Sequence, residues 1–231
     1  MKMQLKRYIA GGRECASNEV SEPECVVIQL HGELEMNSIN KEIENIEVDS
    51  ERKVLYVFCK IEDWDKELAP WSAPPVFGNV PFGAGAKDTL EFIENELLPA
   101  INAEYKIASE CPKILVGYSL AGLFSLWSAY QNDLFDAVAA VSPSVWFPDW
   151  IEYAKANQPK TKNIYLSLGD KEDKTRNKVM KNVGNCILMQ KEIFDQQNDM
   201  SSTFEWNEGN HFNNEELRCA KGINWCLKNV L

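Results

Sequence analysis

Residues able to attack a carbonyl, orient a base and shuttle a proton occur along this chain in one order: Ser119, a carboxylate cluster at Asp170, Glu172 and Asp173, then His211. A serine hydroxyl attacks well only when a neighbouring base takes its proton, and imidazole suits that task because it titrates near neutrality. A carboxylate on the far side of the ring fixes the tautomer and stabilises the imidazolium formed during attack. Together these types predict two-step acyl transfer through a covalent acyl-enzyme, without cofactor or metal.

The assignments follow from position. The chain holds only two histidines, and His31 precedes the serine whereas His211 follows it. Serine, acid, histidine is the order of an α/β-hydrolase, so His211, in a glycine-containing loop after the strand-like run Phe204-Glu205-Trp206, is the expected base. Asn163-Ile164-Tyr165-Leu166-Ser167-Leu168-Gly169 reads as a strand that opens into a charged loop. Glu172 is the first choice of acid, because the acid commonly follows the strand-end glycine by about three positions; Asp173 ranks second and Asp170 third. A loop N–H near Gly32 is expected to join that of Leu120 as an oxyanion hole, with His31 positional rather than reactive.

The serine needs a particular mount. Lys113 to Val116 is an apolar run that breaks at Gly117-Tyr118-Ser119-Leu120-Ala121-Gly122 and resumes as Leu123-Phe124-Ser125-Leu126-Trp127. That is the layout of a nucleophile elbow, in which a strand delivers the serine to a sharp turn and the following helix aims N–H groups at the site. Gly117 and Ala121 supply small residues where backbones crowd, Ala121 standing where a second glycine is usual.

The remaining elements alternate. Cys25–Leu30, Lys53–Cys59 and Phe135–Val141 read as strands. Ile39–Ile46 reads as a short helix. Leu90, Ile93, Leu97 and Ile101 recur at helical spacing, bent or ended near Pro99. Met180, Val183, Ile187, Gln190 and Phe194 mark another helix, and Leu217, Ala220, Ile223 and Leu227 the last. This alternation predicts a mainly parallel central sheet with helices on both faces, with reactive groups at its carboxyl edge. An irregular stretch from Asp63 to Gly83 is rich in prolines and aromatics, and Trp71, Phe77 and Phe82 offer flat apolar walls for substrate.

Composition bounds the function. A chain of 231 residues suits one α/β domain, 1–231, and a net charge of −11 argues against nucleic acid or anionic membrane as a partner. Met1 to Tyr8 contains no apolar stretch of leader length, and seven scattered cysteines make a poor disulfide framework. A cytoplasmic enzyme acting on a small-molecule ester is the expectation.

Asp63-Trp64, Leu68-Ala69-Pro70-Trp71, Gly117 to Phe124, Ser142-Pro143-Ser144-Val145-Trp146-Phe147, Gly169-Asp170-Lys171-Glu172 and Gly209-Asn210-His211-Phe212 together resemble the esterase family that includes the enterochelin (siderophore) esterases. The resemblance covers nearly the whole chain. It implies an α/β-hydrolase fold and ester hydrolysis through Ser119 and His211, with substrate bound near the Ser142–Phe147 segment and the Trp71 loop. Trp71, Trp146 and Tyr118 are the expected substrate contacts. Because few basic groups flank these motifs beyond Lys171, Lys174 and Arg176, a general ester is expected ahead of a siderophore. An amidase, an acyltransferase and a noncatalytic binding module are the competing readings.

Overall fold

A computed structural model describes residues 4–47 and 52–231; Met1–Met3 of the N-terminal stretch lie outside them. The apolar runs form an eight-stranded sheet in the order β1-β2-β4-β3-β5-β6-β7-β8. Its strands are β1 (Leu5–Ala10), β2 (Arg13–Asn18), β3 (Cys25–His31), β4 (Val54–Lys60), β5 (Lys113–Tyr118), β6 (Ala137–Val141), β7 (Asn163–Gly169) and β8 (Ser201–Asn207). From β4 to β8 all neighbours are parallel; β1 and β2 add an antiparallel edge. This is the α/β-hydrolase fold.

Alternation along the central strands divides the core. Val26, Ile28, Leu30 and Leu115 face one layer, while Cys25, Val27, Ile114 and Val116 face the other. Residues alternate across a strand, so an uninterrupted apolar run buries both faces of the sheet. The first layer packs under α3 (Ala86–Phe92), α4 (Leu98–Tyr105), α5 (Leu120–Gln131), α6 (Trp150–Ala156) and α7 (Val183–Asp195). The second packs under α1 (Met36–Glu44) and α8 (Glu215–Val230). A short helix, α2 (Trp64–Glu67), opens the aromatic stretch. All seven cysteines are buried free thiols.

Three expectations shift. The first helix begins at Met36 and ends at Glu44, so Ile46 lies beyond it. The crossover helix is not ended at Pro99: a π-helical turn over Ile93–Leu97 places the proline at the start of α4, where its missing N–H does no harm, and α4 runs on to Tyr105. The strand expected from Phe135 begins at Ala137.

Chain order sets where a site can form. β3 connects outward to β4, and the chain then returns to place β5 on the other side of β3. At such a reversal, loops leaving the carboxyl ends diverge and open a crevice. The two strands that flank it end at His31 and Tyr118, immediately before Gly32 and Ser119.

Candidate active site

The turn after β5 is as crowded as its sequence predicts. A Cβ on Gly117 would lie 2.1 Å from the carbonyl oxygen of Ala121, so no other residue fits there without moving the backbone. Ser119 has φ 59° and ψ −120°, a conformation that non-glycine residues seldom adopt. Neighbours fix this geometry: the Ser119 N–H donates to the Val141 carbonyl at 3.1 Å, and the Ser119 carbonyl accepts from Ser144 N–H at 3.0 Å. Leu120 is the first residue of α5. Its N–H belongs to the opening turn that the helix cannot satisfy from within.

Ser119 Oγ lies 3.0 Å from Nε2 of His211, and Nδ1 of the same ring lies 2.7 Å from Oε2 of Glu172. Glu172 is buried. Burial on its own raises a carboxyl's pKa, but the hydrogen bond and charge of His211, with hydrogen bonds from Ser142 and the Gly169 N–H, outweigh it and hold the group below its ordinary value. An ionised carboxylate only accepts hydrogen bonds, so Nδ1 carries the proton and Nε2 is free to accept from the Ser119 hydroxyl. Of the other two carboxylates, Asp170 accepts from Gly209 N–H at 2.8 Å and braces the histidine loop, while Asp173 pairs with Lys174 at 2.9 Å.

Beneath these groups lies a side chain that the sequence reading did not single out. Arg218, on the first turns of α8 and only 1% exposed, donates from one terminal nitrogen to Glu172 Oε1 (2.9 Å), Ser142 Oγ (3.1 Å) and Tyr118 Oη (3.3 Å). Its other terminal nitrogen donates to the carbonyls of Glu208 (3.0 Å) and Asn210 (2.9 Å). Gly169 is needed here, since a Cβ would meet both Arg218 and the Gly209 carbonyl at under 3 Å. No sequence signal marks this arginine, because a lone arginine in an amphipathic helix is ordinarily solvated.

Two clefts flank the His211 ring and share His211 and Phe212 as walls. One, of about 200 Å³, is bounded by Trp146, Met180, Val183, Lys171 and Lys174. The other, of about 230 Å³, contains Ser119, Tyr118, Gly32, His31 and Trp64. A larger groove of about 550 Å³ adjoins the first at Trp146 but includes none of Ser119, Glu172 and His211. Burial pushes the pKa of His31 down to about 4, so the ring is neutral at physiological pH, edge-on to Phe58 at 5.6 Å.

The expected substrate contacts divide. Trp146 walls the first cleft, and Tyr118 lines the second while its hydroxyl donates to the His211 carbonyl at 2.6 Å. Trp71 lies outside both clefts. Its indole N–H donates to the Pro148 carbonyl at 3.0 Å and its ring packs against Phe147, Trp150 and Tyr153, contacts that anchor the aromatic loop. Phe82 is likewise buried, and Phe77 lies against it. Trp64, at the start of the same stretch, is the aromatic that reaches the site.

The fold and this constellation define an α/β-hydrolase. The chain belongs to the Putative esterase family, whose profile matches residues 18–212, a family of carboxylic ester hydrolases. Siderophore triacetylfusarinine C esterase of Aspergillus fumigatus is 28% identical over 120 residues, which span 47% of this chain and 41% of that enzyme, less than half its length. Among solved structures, an IroE-like serine hydrolase from Shewanella oneidensis superposes with a TM-score of 0.78 at 19% identity, covering 96% of this chain and 79% of that one. Siderophore hydrolase EstA from Aspergillus nidulans does so with a TM-score of 0.76 at 17% identity, covering 99% and 95%. At these identities the likeness is one of fold.

Proposed function

We propose that this chain is a serine esterase whose catalytic triad is Ser119, His211 and Glu172, mounted on a nucleophile elbow in one α/β-hydrolase domain. The unbroken hydrogen-bond chain from Ser119 Oγ through His211 to Glu172, with contacts of 3.0 and 2.7 Å, carries the reading. Ser119 Oγ attacks the ester carbonyl carbon while its proton passes to Nε2 of His211. The tetrahedral oxyanion is held by N–H groups of Leu120 and Gly32. Collapse expels the alcohol, which leaves with the proton from Nε2, and the acyl group stays on Ser119. Water then enters, gives a proton to His211 and attacks the acyl-enzyme; the acid departs and Ser119 regains its hydrogen.

Lys171 and Lys174 on one cleft, and Lys178 and Lys181 on the adjoining groove, offset in part by Asp173 paired with Lys174, place cations beside the site on a strongly acidic chain. This supports an anionic ester, a siderophore among them, as a second reading beside a general carboxylic ester. A cytoplasmic location belongs to the proposal and is supported by the seven unpaired thiols.

The test is hydrolysis of neutral and anionic chromogenic esters of rising acyl length, run beside Ser119→Ala, with phosphonate labelling read by mass spectrometry. Turnover lost in the variant and one label on Ser119 are expected. Full turnover in Ser119→Ala would sink the mechanism. Amides of the same acyl groups and added alcohol acceptors separate hydrolase from amidase and transferase.

A further inference from the structure

Glu172 has one more rotatable bond than an aspartate, so its carboxylate must be held more firmly to present one oxygen to His211. The two oxygens divide the work. Oε1 accepts from Ser142 Oγ and Gly169 N–H, each at 2.7 Å, and from Arg218 at 2.9 Å, which leaves Oε2 to His211. Arg218 is the only one of these donors that also grips the other loops. Its second nitrogen holds the carbonyls on either side of Gly209, within three residues of His211. Its first reaches the hydroxyl of Tyr118, the residue before Ser119, and that hydroxyl in turn donates to the His211 carbonyl. A lysine ammonium has no planar fork with which to span these acceptors.

We propose that Arg218 is a positioning residue for catalysis: one buried guanidinium sets the acid loop, the histidine loop and the end of β5 in a common register and keeps Glu172 Oε2 turned to His211. Removing its charge leaves a buried carboxylate short of a cation, which favours protonation of that carboxylate and also favours the imidazolium. Both effects move the acid limb of the kcat/KM profile to higher pH. Misplacement of the base by a fraction of an ångström lowers kcat, while the clefts that bind substrate keep their walls. The role rests on the Ser119–His211–Glu172 reading.

The experiment measures Arg218→Met, Arg218→Lys, Glu172→Gln and Arg218→Met/Glu172→Gln on a neutral ester across pH, after circular dichroism and melting establish folding. Arg218→Met is expected to lose on the order of 10²-fold in kcat with KM within about threefold, its acid limb displaced upward. In the Glu172→Gln background the same substitution is expected to cost about tenfold, the part that comes from the lost grip on the loops, because the rest of its effect passes through Glu172. Arg218→Lys keeps the charge, so its acid limb stays near that of the parent while kcat falls about tenfold from the lost grip on the loops. If Arg218→Met fails to fold, Arg218→Lys decides the matter alone. Parental kcat in whichever variant folds, or a loss that simply adds to that of Glu172→Gln with an unmoved acid limb, overturns the proposal. Phosphonate labelling of Ser119 in the parent keeps the two readings apart. A label with an inert Ser119→Ala and a normal Arg218→Lys removes only the role of Arg218; an active Ser119→Ala removes the triad itself.

Discussion

The two sides of the His211 ring are built differently. Toward the sheet, Glu172, Ser142, Tyr118 and Arg218 form a buried network in which the Glu172 carboxylate accepts four hydrogen bonds. Toward solvent, Phe212 is 88% exposed, and the lysines of the neighbouring cleft sit on an irregular segment after β7. Under the proposed mechanism a proton relay tolerates little displacement, which accounts for its over-determined support, and recognition falls to open-side groups that can change without unseating it. The inner side should therefore govern kcat and the outer side KM.

Glu172→Gln strikes the inner side hardest. The amide presents a donor or a weaker acceptor to Nδ1 and carries no charge for the imidazolium, so kcat should fall on the order of 10³–10⁴-fold with KM little changed. Steady-state kinetics check this, and a loss confined to KM would erase the distinction between the sides.

On the outer side, Lys171→Gln with Lys174→Gln should raise KM for anionic esters about fivefold and leave neutral esters alone, because solvated charges act weakly and are screened by salt. The difference should vanish as ionic strength rises; equal effects on neutral esters would argue against an electrostatic role.

Trp71 tests whether the aromatic loop belongs to either side. Trp71→Phe loses the hydrogen bond to Pro148 and should cost about 1 kcal/mol of stability, seen as a lower denaturant midpoint, with kcat/KM held within about twofold. A specific loss of activity would return this residue to the substrate wall.

A separate prediction concerns stability far from the relay. Burial pushes the Glu42 carboxyl up to about 8, beside Gln29 at 3.1 Å. Its folded value lies above its unfolded value of about 4.3, so the native state holds the proton more tightly and loses that advantage as pH rises from about 4 to about 8. Glu42→Gln, neutral throughout, should gain on the parent across that window in melts at successive pH values, and a constant difference would contradict the assignment.

Much of the candidate site was legible because its markers are local. A glycine before a serine at the end of an apolar run reflects a backbone too crowded for a side chain, and the spacing from Gly169 to Glu172 reflects a single turn. The N-terminal hairpin was not legible: β1 carries Lys6 and Arg7 on an exposed edge, and β2 is short and polar in composition although most of it is buried. The packing of Trp71 was not legible for a related reason, since an aromatic in a proline-rich loop looks the same whether it faces substrate or roofs a core.

The sequence by itself determined the strand–helix alternation and the tight turn at Gly117–Ser119, which rest on neighbours a few residues apart, and the chain order of Ser119, Glu172 and His211. Only the tertiary structure decided which carboxylate meets His211, that Trp64 lines the cleft with Ser119, and that Arg218 lies beneath it. Those facts depend on where loops 30 to 100 residues apart converge at the reversal between β3 and β5, as in the contacts of Arg218 with Tyr118 and Ser142. Residue type and spacing do not encode such convergence until the sheet has assembled.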